Sequence, residues 1–384
     1  MSSRIFLFVV IAKCLTLLRI YRHYITKMIN SVITGSGHYL PSRIIKNIDF
    51  NEYEFFDENG ERIEKPVEEI TQKFEEITEI KERRYVTDDL LNSDIATFAA
   101  KKAIEQSGIN PEDLDYIIVG HNFGDIDPVG RQIDIMPSIS AKVKHNLNIK
   151  NLKCKPYDMT FGCPGWVESL ILAHQFIQAK IAKKVLVIGS DTLSRAVDPH
   201  DRSAMIFADG AGAVVLEAKE DDKKFGILNH ATLSYTGDEL SFLKNGESLN
   251  PDYVGSNKNI NMKGRKVYEF VLKNVPPALK ELLDDTDLNI DDINKILLHQ
   301  ANAKMDHAMI QRLYKLYGKK APLNIDPMTV QFLGNTSVAT VPTMFDLIEK
   351  GQLESHQFNS NDKIIMASVG ASMNINAVIY QFPI

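Results

Sequence analysis

Cys163 has the surroundings expected of a nucleophile. It lies in Phe161-Gly-Cys-Pro-Gly-Trp166, directly before a run of apolar residues with helical spacing. The flanking glycines permit a sharp turn, and Pro164 suits the first position of a helix. A helix N-terminus stabilises a thiolate, and such settings lower a thiol pKa from ~8.5 to roughly 3.5–7.5. We therefore predict an activated thiol, with a small buried cysteine as the structural alternative.

Two other polar side chains stand where an active site is expected. His299 ends the apolar run Lys295-Ile-Leu-Leu-His299, and the carboxyl ends of strands face the ligand crevice in open α/β sheets. Asn335 lies in Gly334-Asn-Thr-Ser337, a segment with turn composition. Each has a plain alternative, a strand-end histidine or a turn asparagine, so position alone assigns neither.

An internal repeat relates the segments that carry these residues. The segments 110–117 and 184–187 recur at 289–296 and 363–366, both 179 positions later. This offset is too long for a solenoid repeat. The repeat therefore predicts an α/β protein made of two similar halves that pack together.

The repeat also predicts where the functional side chains meet. The turn that holds Cys163 matches the turn that holds Asn335, so each half supplies one side chain. We predict an N-terminal half at 28–220, which carries the cysteine, and a C-terminal half at 221–384, which carries the histidine and the asparagine. A charged run at 217–224 separates them and reads as a solvated turn.

The composition is that of an ordinary globular protein. The 384 residues are 44% hydrophobic and 24% charged, with a formal net charge of −6. The chain lacks the excess of basic residues that is typical of nucleic-acid-binding proteins, so we predict no nucleic-acid partner. Three cysteines form neither a metal-ligand spacing nor a disulfide framework. The sequence therefore predicts a reduced, cytoplasmic protein without a metal.

Residues 1–27 differ from the rest of the chain. An apolar stretch at 5–12 is interrupted by Lys13 and followed by several basic residues. The stretch is shorter than the ~20 residues of a spanning helix. We interpret 1–27 as an upstream extension outside the fold. The alternatives are a basic amphipathic helix at a membrane surface and a cleaved signal peptide. Membrane association is expected only if this segment is retained.

Several motifs occur together in one order along residues 28–384. They are Phe-Gly-Cys-Pro-Gly-Trp at 161–166, Gly-Ser-Asp-Thr-Leu-Ser-Arg at 189–195, Asp-Pro-His-Asp-Arg at 198–202, Phe-Ala-Asp-Gly-Ala-Gly-Ala at 207–213, His-Gln-Ala-Asn at 299–302 and Gly-Asn-Thr-Ser at 334–337. With them the chain resembles the β-ketoacyl-acyl-carrier-protein synthase III family of condensing enzymes. The resemblance implies a thiolase-like fold, in which two duplicated α/β halves form a layered α-β-α-β-α core.

The resemblance also implies the roles of the site residues. Cys163, His299 and Asn335 would form a catalytic triad, with an acyl group held on Cys163 as a thioester. The backbone N–H groups of Cys163 and Ala371 would form an oxyanion hole. His299 and Asn335 would bind the carbonyl of a malonyl thioester, which loses carbon dioxide and attacks the acyl group. Two donors aimed at an enolate stabilise charge only as it develops.

Further residues are assigned to the substrate by the same resemblance. Arg202 would contact coenzyme A, and Asn302 and Lys304 would contact the substrate or its carrier. Met136 would bound the acyl pocket. The expected partners are an acyl-carrier protein, an acyl-CoA or acyl-carrier thioester, and a second copy in a homodimer. No cofactor is expected. A basic docking patch for the acidic carrier is expected at Lys304 with Arg265, Lys266 and Lys273.

The chain departs from the family where the adenine of coenzyme A is expected. Lys73 and Ile77 occupy positions where relatives carry a tryptophan and an arginine, so the acyl donor need not be coenzyme A. The leading hypothesis is a decarboxylating condensation in fatty-acid or specialised lipid or polyketide biosynthesis. Acyl transfer to an oxygen or nitrogen nucleophile without decarboxylation is one alternative. A non-catalytic scaffold subunit is another, and the intact triad argues against it.

Overall fold

The structure is a computed structural model that describes residues 27–254 and 259–383. Its larger sheet has five strands. In spatial order they are β1 (Met28–Tyr39), β9 (Asp209–Asp221), β8 (Lys184–Thr192), β4 (Tyr116–His121) and β7 (Lys155–Thr160). Its second sheet has four strands. In spatial order they are β10 (Gly226–Leu233), β15 (Asn374–Gln381), β14 (Lys363–Gly370) and β13 (Ile293–Leu298).

The remaining strands form three small two-stranded sheets. These pairs are β2 (Arg43–Lys46) with β3 (Glu82–Tyr85), β5 (Asp125–Ile126) with β6 (Ile133–Asp134), and β11 (Leu243–Gly246) with β12 (Asn259–Met262). Eight α-helices lie in the described part of the chain. They are α1 (Val67–Thr78), α2 (Asn92–Ser107), α3 (Ile139–Asn146), α4 (Gly165–Gln178), α5 (Gly264–Asp284), α6 (Ala303–Leu316), α7 (Val330–Leu333) and α8 (Thr340–Glu349).

The two main sheets repeat one topology. In the first, β1 and β9 are antiparallel, β9 and β8 are antiparallel, and β8 and β4 are parallel. In the second, β10, β15, β14 and β13 follow the same order and directions. The predicted duplication of an α/β half, and with it the thiolase-like fold class, is confirmed. The last strand of the first sheet ends at Asp221 and the second sheet begins at Gly226, while the division at 220/221 stays a prediction.

The layers follow from which helices contact which sheet. Helices α4 and α8 lie between the sheets, and their apolar residues share one core with strands of both. Helices α2 and α3 cover the outer face of the first sheet, and α5 and α6 cover the outer face of the second. The molecule therefore has the predicted α-β-α-β-α layering. Strands covered on both faces explain the continuous apolar runs of β4 and β8.

Two glycines let the segments of the site approach the strands. A Cβ atom on Gly120, in β4, would lie 2.7 Å from the carbonyl carbon of Gly165 at the start of α4. A Cβ atom on Gly189, in β8, would lie 2.3 Å from the carbonyl oxygen of Val338. Neither contact leaves room for a side chain. The start of α4 and the turn after Asn335 therefore pack directly on the backbone of the first sheet.

Two local predictions differ from the structure. Pro164 is the N-cap of α4 rather than its first residue, so the helix begins one position later. The charged run at 217–224 is not simply a turn, because β9 continues to Asp221 through its pairing with β1. Beyond Glu217 the strand pairs only with β1 and no longer with β8, and Lys219 and Glu220 are exposed, which accounts for the charges.

The prediction for residues 1–27 falls almost wholly outside the described residues. The first strand begins at Met28, where the sequence predicts the start of the fold. Within 27–254 and 259–383, no helix is both long enough and apolar enough to cross a membrane.

Candidate active site

Cys163 lies in the turn between β7 and α4, where the two halves meet. Its side chain is buried, with 8% exposure. Gly162 takes a φ of 74°, the left-handed conformation that glycine adopts without strain. The sulfur lines a cavity of about 230 Å³. The apolar part of the cavity wall comes from Phe123, Leu193, Phe207, Leu243, Ile260 and Ala371.

The turn after β14 closes over Cys163 from the second half. A Cβ atom on Gly370 would lie 2.7 Å from the Cβ of Cys163, so only glycine fits there. The backbone N–H groups of Cys163 and Ala371 are both within hydrogen-bond reach of the sulfur. Two N–H groups thus lie beside the sulfur, and their role as an oxyanion hole stays a prediction.

The protonation of Cys163 differs from the expectation. Burial raises the pKa of the thiol to about 11, and the nearby carboxyl of Asp191 also raises it. Hydrogen bonds from Ser337 and from the two backbone N–H groups lower the pKa, but they do not offset burial. The helix N-terminus therefore does not produce a thiolate at neutral pH. The thiol must lose its proton during the reaction.

Asn335 is held rigidly next to the cavity. Its N–H donates to the carbonyl of Ile206 at 2.9 Å, and its carbonyl accepts from the N–H of Ala208 at 2.8 Å. Its side-chain Oδ1 accepts from the N–H of Ser337 at 2.8 Å. Because the amide oxygen is occupied, the NH₂ end of the side chain is the donor that remains.

His299 follows β13 and is 95% buried, with 5% exposure. Its N–H donates to the carbonyl of Ala367 in β14 at 2.8 Å, which extends the strand pairing up to the histidine. Burial lowers the pKa of the imidazole to about 4, although the Ser337 backbone raises it. Its Nδ1 atom has no hydrogen-bond partner among the described residues. The ring is therefore neutral at physiological pH.

Ser337 lies next to all three side chains of the predicted triad, a role that was not predicted from the sequence. Its backbone N–H donates to the side-chain oxygen of Asn335 at 2.8 Å. Hydrogen bonding by its hydroxyl lowers the pKa of Cys163, and hydrogen bonding by its backbone raises the pKa of His299. Ser337 is 1% exposed. The motif Gly-Asn-Thr-Ser contains this serine, but its contact with Cys163 depends on how the halves pack. The triad members therefore converge on one residue.

A second and larger cavity contains Arg202. It measures about 750 Å³ and lies between α1 and the segment after β8. Met205 and Ile206 line this cavity, while the next residue, Phe207, lines the cavity of Cys163. The two cavities are thus neighbours along one segment. Arg202 lines the larger of the two cavities, and its contact with coenzyme A stays a prediction.

The wall of the larger cavity offers few side chains that could stack on or bind an adenine ring. Lys73 is paired with Glu76 at 3.2 Å, and Ile77 is half exposed. Phe74 is the one aromatic side chain among the described lining residues, and its ring is engaged by the buried guanidinium of Arg83 at 5.8 Å. The departure noted in the sequence therefore persists in three dimensions.

The other predicted substrate contacts are less central. Asn302 is the N-cap of α6, and its side chain accepts from the N–H of Met305 at 3.1 Å. Lys304 lies in a separate cavity that four glutamates also line. Met136 is 86% exposed and lines neither the cavity of Cys163 nor that of Arg202. The structure does not bring these three side chains to the sulfur of the same chain.

A duplicated thiolase-like fold with a buried cysteine between its halves defines an acyltransferase of the condensing class. Two family models match the chain. The model described as 3-oxoacyl-[acyl-carrier-protein] synthase III matches residues 157–235, and the model of its C-terminal region matches 283–382. The matched segments contain Cys163, His299 and Asn335.

Full-length relatives agree with these models. The chain is 32% identical to the β-ketoacyl-[acyl-carrier-protein] synthase III of Streptococcus sanguinis over 90% of the chain and 98% of the relative. It is 33% identical to the β-ketoacyl-[acyl-carrier-protein] synthase III of Xanthomonas campestris over 85% of the chain and 94% of the relative. Among solved structures, 3-oxoacyl-[acyl-carrier-protein] synthase III from Aquifex aeolicus superposes with a TM-score of 0.73 and 28% identity, covering 92% of this chain and 100% of that chain. The chain belongs to the β-ketoacyl-[acyl-carrier-protein] synthase III family.

Proposed function

We propose that the chain condenses an acyl thioester with malonyl-acyl-carrier protein, with loss of carbon dioxide, through an acyl group carried on Cys163. The observation that carries the proposal is the convergence of Cys163, His299 and Asn335 on Ser337 at the meeting of the two halves. The product is a 3-oxoacyl thioester. Acyl thioesters of a phosphopantetheine arm are the proposed substrates, whether the arm belongs to coenzyme A or to a carrier protein.

The first half-reaction needs a cysteine beside an oxyanion hole. The thiol attacks the thioester carbonyl, and the N–H groups of Cys163 and Ala371 stabilise the oxygen of the tetrahedral intermediate. The apolar wall of the 230 Å³ cavity suits an acyl chain and excludes water. The acyl group is then held on sulfur until the second substrate arrives.

The second half-reaction needs neutral hydrogen-bond donors. The neutral imidazole of His299 and the amide NH₂ of Asn335 bind the malonyl thioester oxygen, where charge develops as carbon dioxide leaves. A neutral imidazole suits this task, since it binds the developing enolate without protonating it at the start. The enolate carbon then attacks the acyl carbonyl, and the Cys163 sulfur departs.

The two half-reactions are separable by mutation. We expect the His299→Ala and Asn335→Ala variants to acquire an acyl group on Cys163 at close to the normal rate. The rate of condensation should fall by a factor of about 10²–10³ in each. Mass spectrometry of the intact protein measures loading, and product release measures condensation. The matched control is His307→Ala. His307 lies on the outer helix α6, and its ring is paired with Asp326. Loss of loading in the first two variants would contradict the proposed roles.

We also propose that the chain is a homodimer joined along β7. This strand is one of the two edges of the first sheet, the other being β1, and unpaired edges are otherwise protected in native proteins. Large apolar side chains are exposed beside it. They are Val129, Ile133, Ile135, Met136, Leu152 and Tyr157. An apolar patch next to an open sheet edge favours pairing with a second copy. A contact of Met136 with an acyl chain requires such a second subunit.

The oligomeric state tests this surface. We expect Ile135→Asp to convert a dimer of 43.3 kDa chains into monomers in light scattering, because a charge cannot be buried there without a partner. Leu323→Asp is the control and leaves the dimer intact, because Leu323 is also exposed (95%, against 64% for Ile135) but lies in the second half, between α6 and α7. A monomeric wild-type chain at micromolar concentration would contradict the proposal.

The carrier protein is proposed to dock near the start of α5. Lys244, Lys263 and Lys266 line one surface cavity together with Asp238, and this cavity adjoins the wall of the Arg202 cavity at 262–264. Lys304, in contrast, shares its cavity with Glu68, Glu75, Glu76 and Glu79. An acidic carrier is attracted by the first surface and repelled by most of the second.

Charge reversal distinguishes the two surfaces. We expect Lys266→Glu to raise the KM for malonyl-acyl-carrier protein roughly tenfold, equivalent to about 1.4 kcal/mol, and to weaken its salt dependence. The rate with a malonyl-pantetheine fragment stays unchanged, since the fragment has no carrier surface. Lys304→Glu is the matched variant, with a smaller effect. A larger effect of Lys304→Glu than of Lys266→Glu on this KM would contradict the proposal and place carrier docking at Lys304.

A further inference from the structure

Behind Cys163 lies a buried carboxyl that the proposed reaction does not yet use. Asp191 is the eighth residue of β8 and is 1% exposed. It accepts hydrogen bonds from the backbone N–H of Asn122 at 2.8 Å and from its side-chain NH₂ at 2.5 Å. The same side-chain NH₂ also donates to the Ser337 hydroxyl oxygen, so Ser337 and Asp191 are held next to each other by one amide group. None of these partners carries a formal charge.

Ser337 links this carboxyl to the sulfur. Ser337 and Cys163 line the same cavity, and hydrogen bonding by the Ser337 hydroxyl lowers the pKa of both the Cys163 thiol and the Asp191 carboxyl. The side chain of Asn122 donates to the Ser337 oxygen at 2.9 Å. A hydroxyl has one proton to give and can accept at its oxygen. Because Asn122 fixes the oxygen, the single proton of Ser337 points either to the sulfur or to the carboxyl.

We propose that Asp191 takes the proton of the Cys163 thiol through the Ser337 hydroxyl when the thiol attacks the acyl thioester. The sulfur–carbonyl bond forms as the S–H proton passes to the Ser337 oxygen and the Ser337 proton passes to Asp191. When the bond from the carbonyl to the departing sulfur breaks, the proton returns along the same path to that sulfur. The thiol of the carrier leaves, and Ser337 and Asp191 regain their starting states.

The electrostatics of the site favour this path over a preformed thiolate. Burial raises the pKa of Asp191 to about 6, so the carboxylate is charged at neutral pH yet is a stronger base than an exposed one. The thiol, with a pKa of about 11, keeps its proton until attack. A carboxylate and a thiolate that share one buried site disfavour each other. Moving the proton between them keeps a single negative charge in the site.

Other titratable groups around the path do not compete for the proton. His121 faces Asp191 and lowers its pKa. The His121 ring is engaged on both nitrogens, by the N–H of Gly124 at 3.0 Å and by Asp158 at 2.9 Å. The imidazole of His299 has a pKa of about 4, so it is a weaker base than Asp191. Asp191 is thus the stronger of the two bases that reach Ser337.

The inference rests on the proposed acyl-enzyme, and its test is the rate of acyl loading. We expect Asp191→Asn and Ser337→Ala each to slow the loading of Cys163 by about 10²–10⁴ at pH 7, the usual contribution of a positioned base. The double variant is no slower than either single variant, because the two residues act as a unit. Quenched-flow sampling followed by intact-protein mass spectrometry measures the rate with an acyl-pantetheine thioester.

The pH dependence separates a proton acceptor from a structural role. In the wild type, loading rises as Asp191 ionises near pH 6 and then stays level, since the thiol and the carboxylate carry one shared proton. In Asp191→Asn, loading rises with pH throughout, because it then depends on free ionisation of the thiol. A merely structural role would lower the rate without changing the shape of the profile.

Asp209 supplies the matched control. It is fully buried, burial raises its pKa to about 6, and it accepts hydrogen bonds from Ser194 and Val86, but it has no contact with Cys163. We expect Asp209→Asn to load normally where it remains folded by thermal melting. If Asp191→Asn does not fold, Ser337→Ala and its pH profile carry the test.

Two outcomes would overturn the inference. Loading by Asp191→Asn as fast as, or faster than, the wild type would mean that Asp191 only repels the thiolate. Additive effects of Asp191→Asn and Ser337→Ala would mean that they do not share one proton path. A wild-type chain that never forms an adduct on Cys163 would instead refute the proposed function, so the two failures are distinguishable.

Discussion

Burial of the Cys163 thiol is the constraint on which the site depends. The sulfur must leave water so that an acyl chain can be held and its thioester protected, yet the same burial keeps the thiol protonated. Each neighbouring group addresses part of this problem. In the proposed mechanism, the N–H groups of Cys163 and Ala371 stabilise negative charge, and the path through Ser337 removes the proton. The packing of two halves on one turn supplies all of these groups together.

Much of this arrangement could be predicted from the sequence. Cys163, His299 and Asn335 stand in short motifs whose turn and strand-end character is local, and the internal repeat gives the matching order of strands in the two sheets. The repeat works because similar segments must bury similar faces. The layering of helices follows from the same pattern, and the structure agrees with both.

The part that could not be predicted depends on long-range packing. Asn122 and Ser337 are 215 positions apart, and they meet only because the turn after Asn335 packs on the backbone of β8. The predicted lowering of the Cys163 thiol pKa was wrong for a related reason. A helix N-terminus is visible in sequence, whereas full burial of the sulfur is a property of the closed fold. The exposure of Met136 likewise depends on an edge strand that sequence spacing does not reveal.

The most direct measurement of the central claim is a single turnover of acyl-loaded enzyme with malonyl-acyl-carrier protein. The account predicts that each acyl group lost from Cys163 appears as one 3-oxoacyl product together with one carbon dioxide. It also predicts that free Cys163 is regenerated at the same rate. Transfer of the acyl group to another acceptor, or its release as free acid without carbon dioxide, would contradict it.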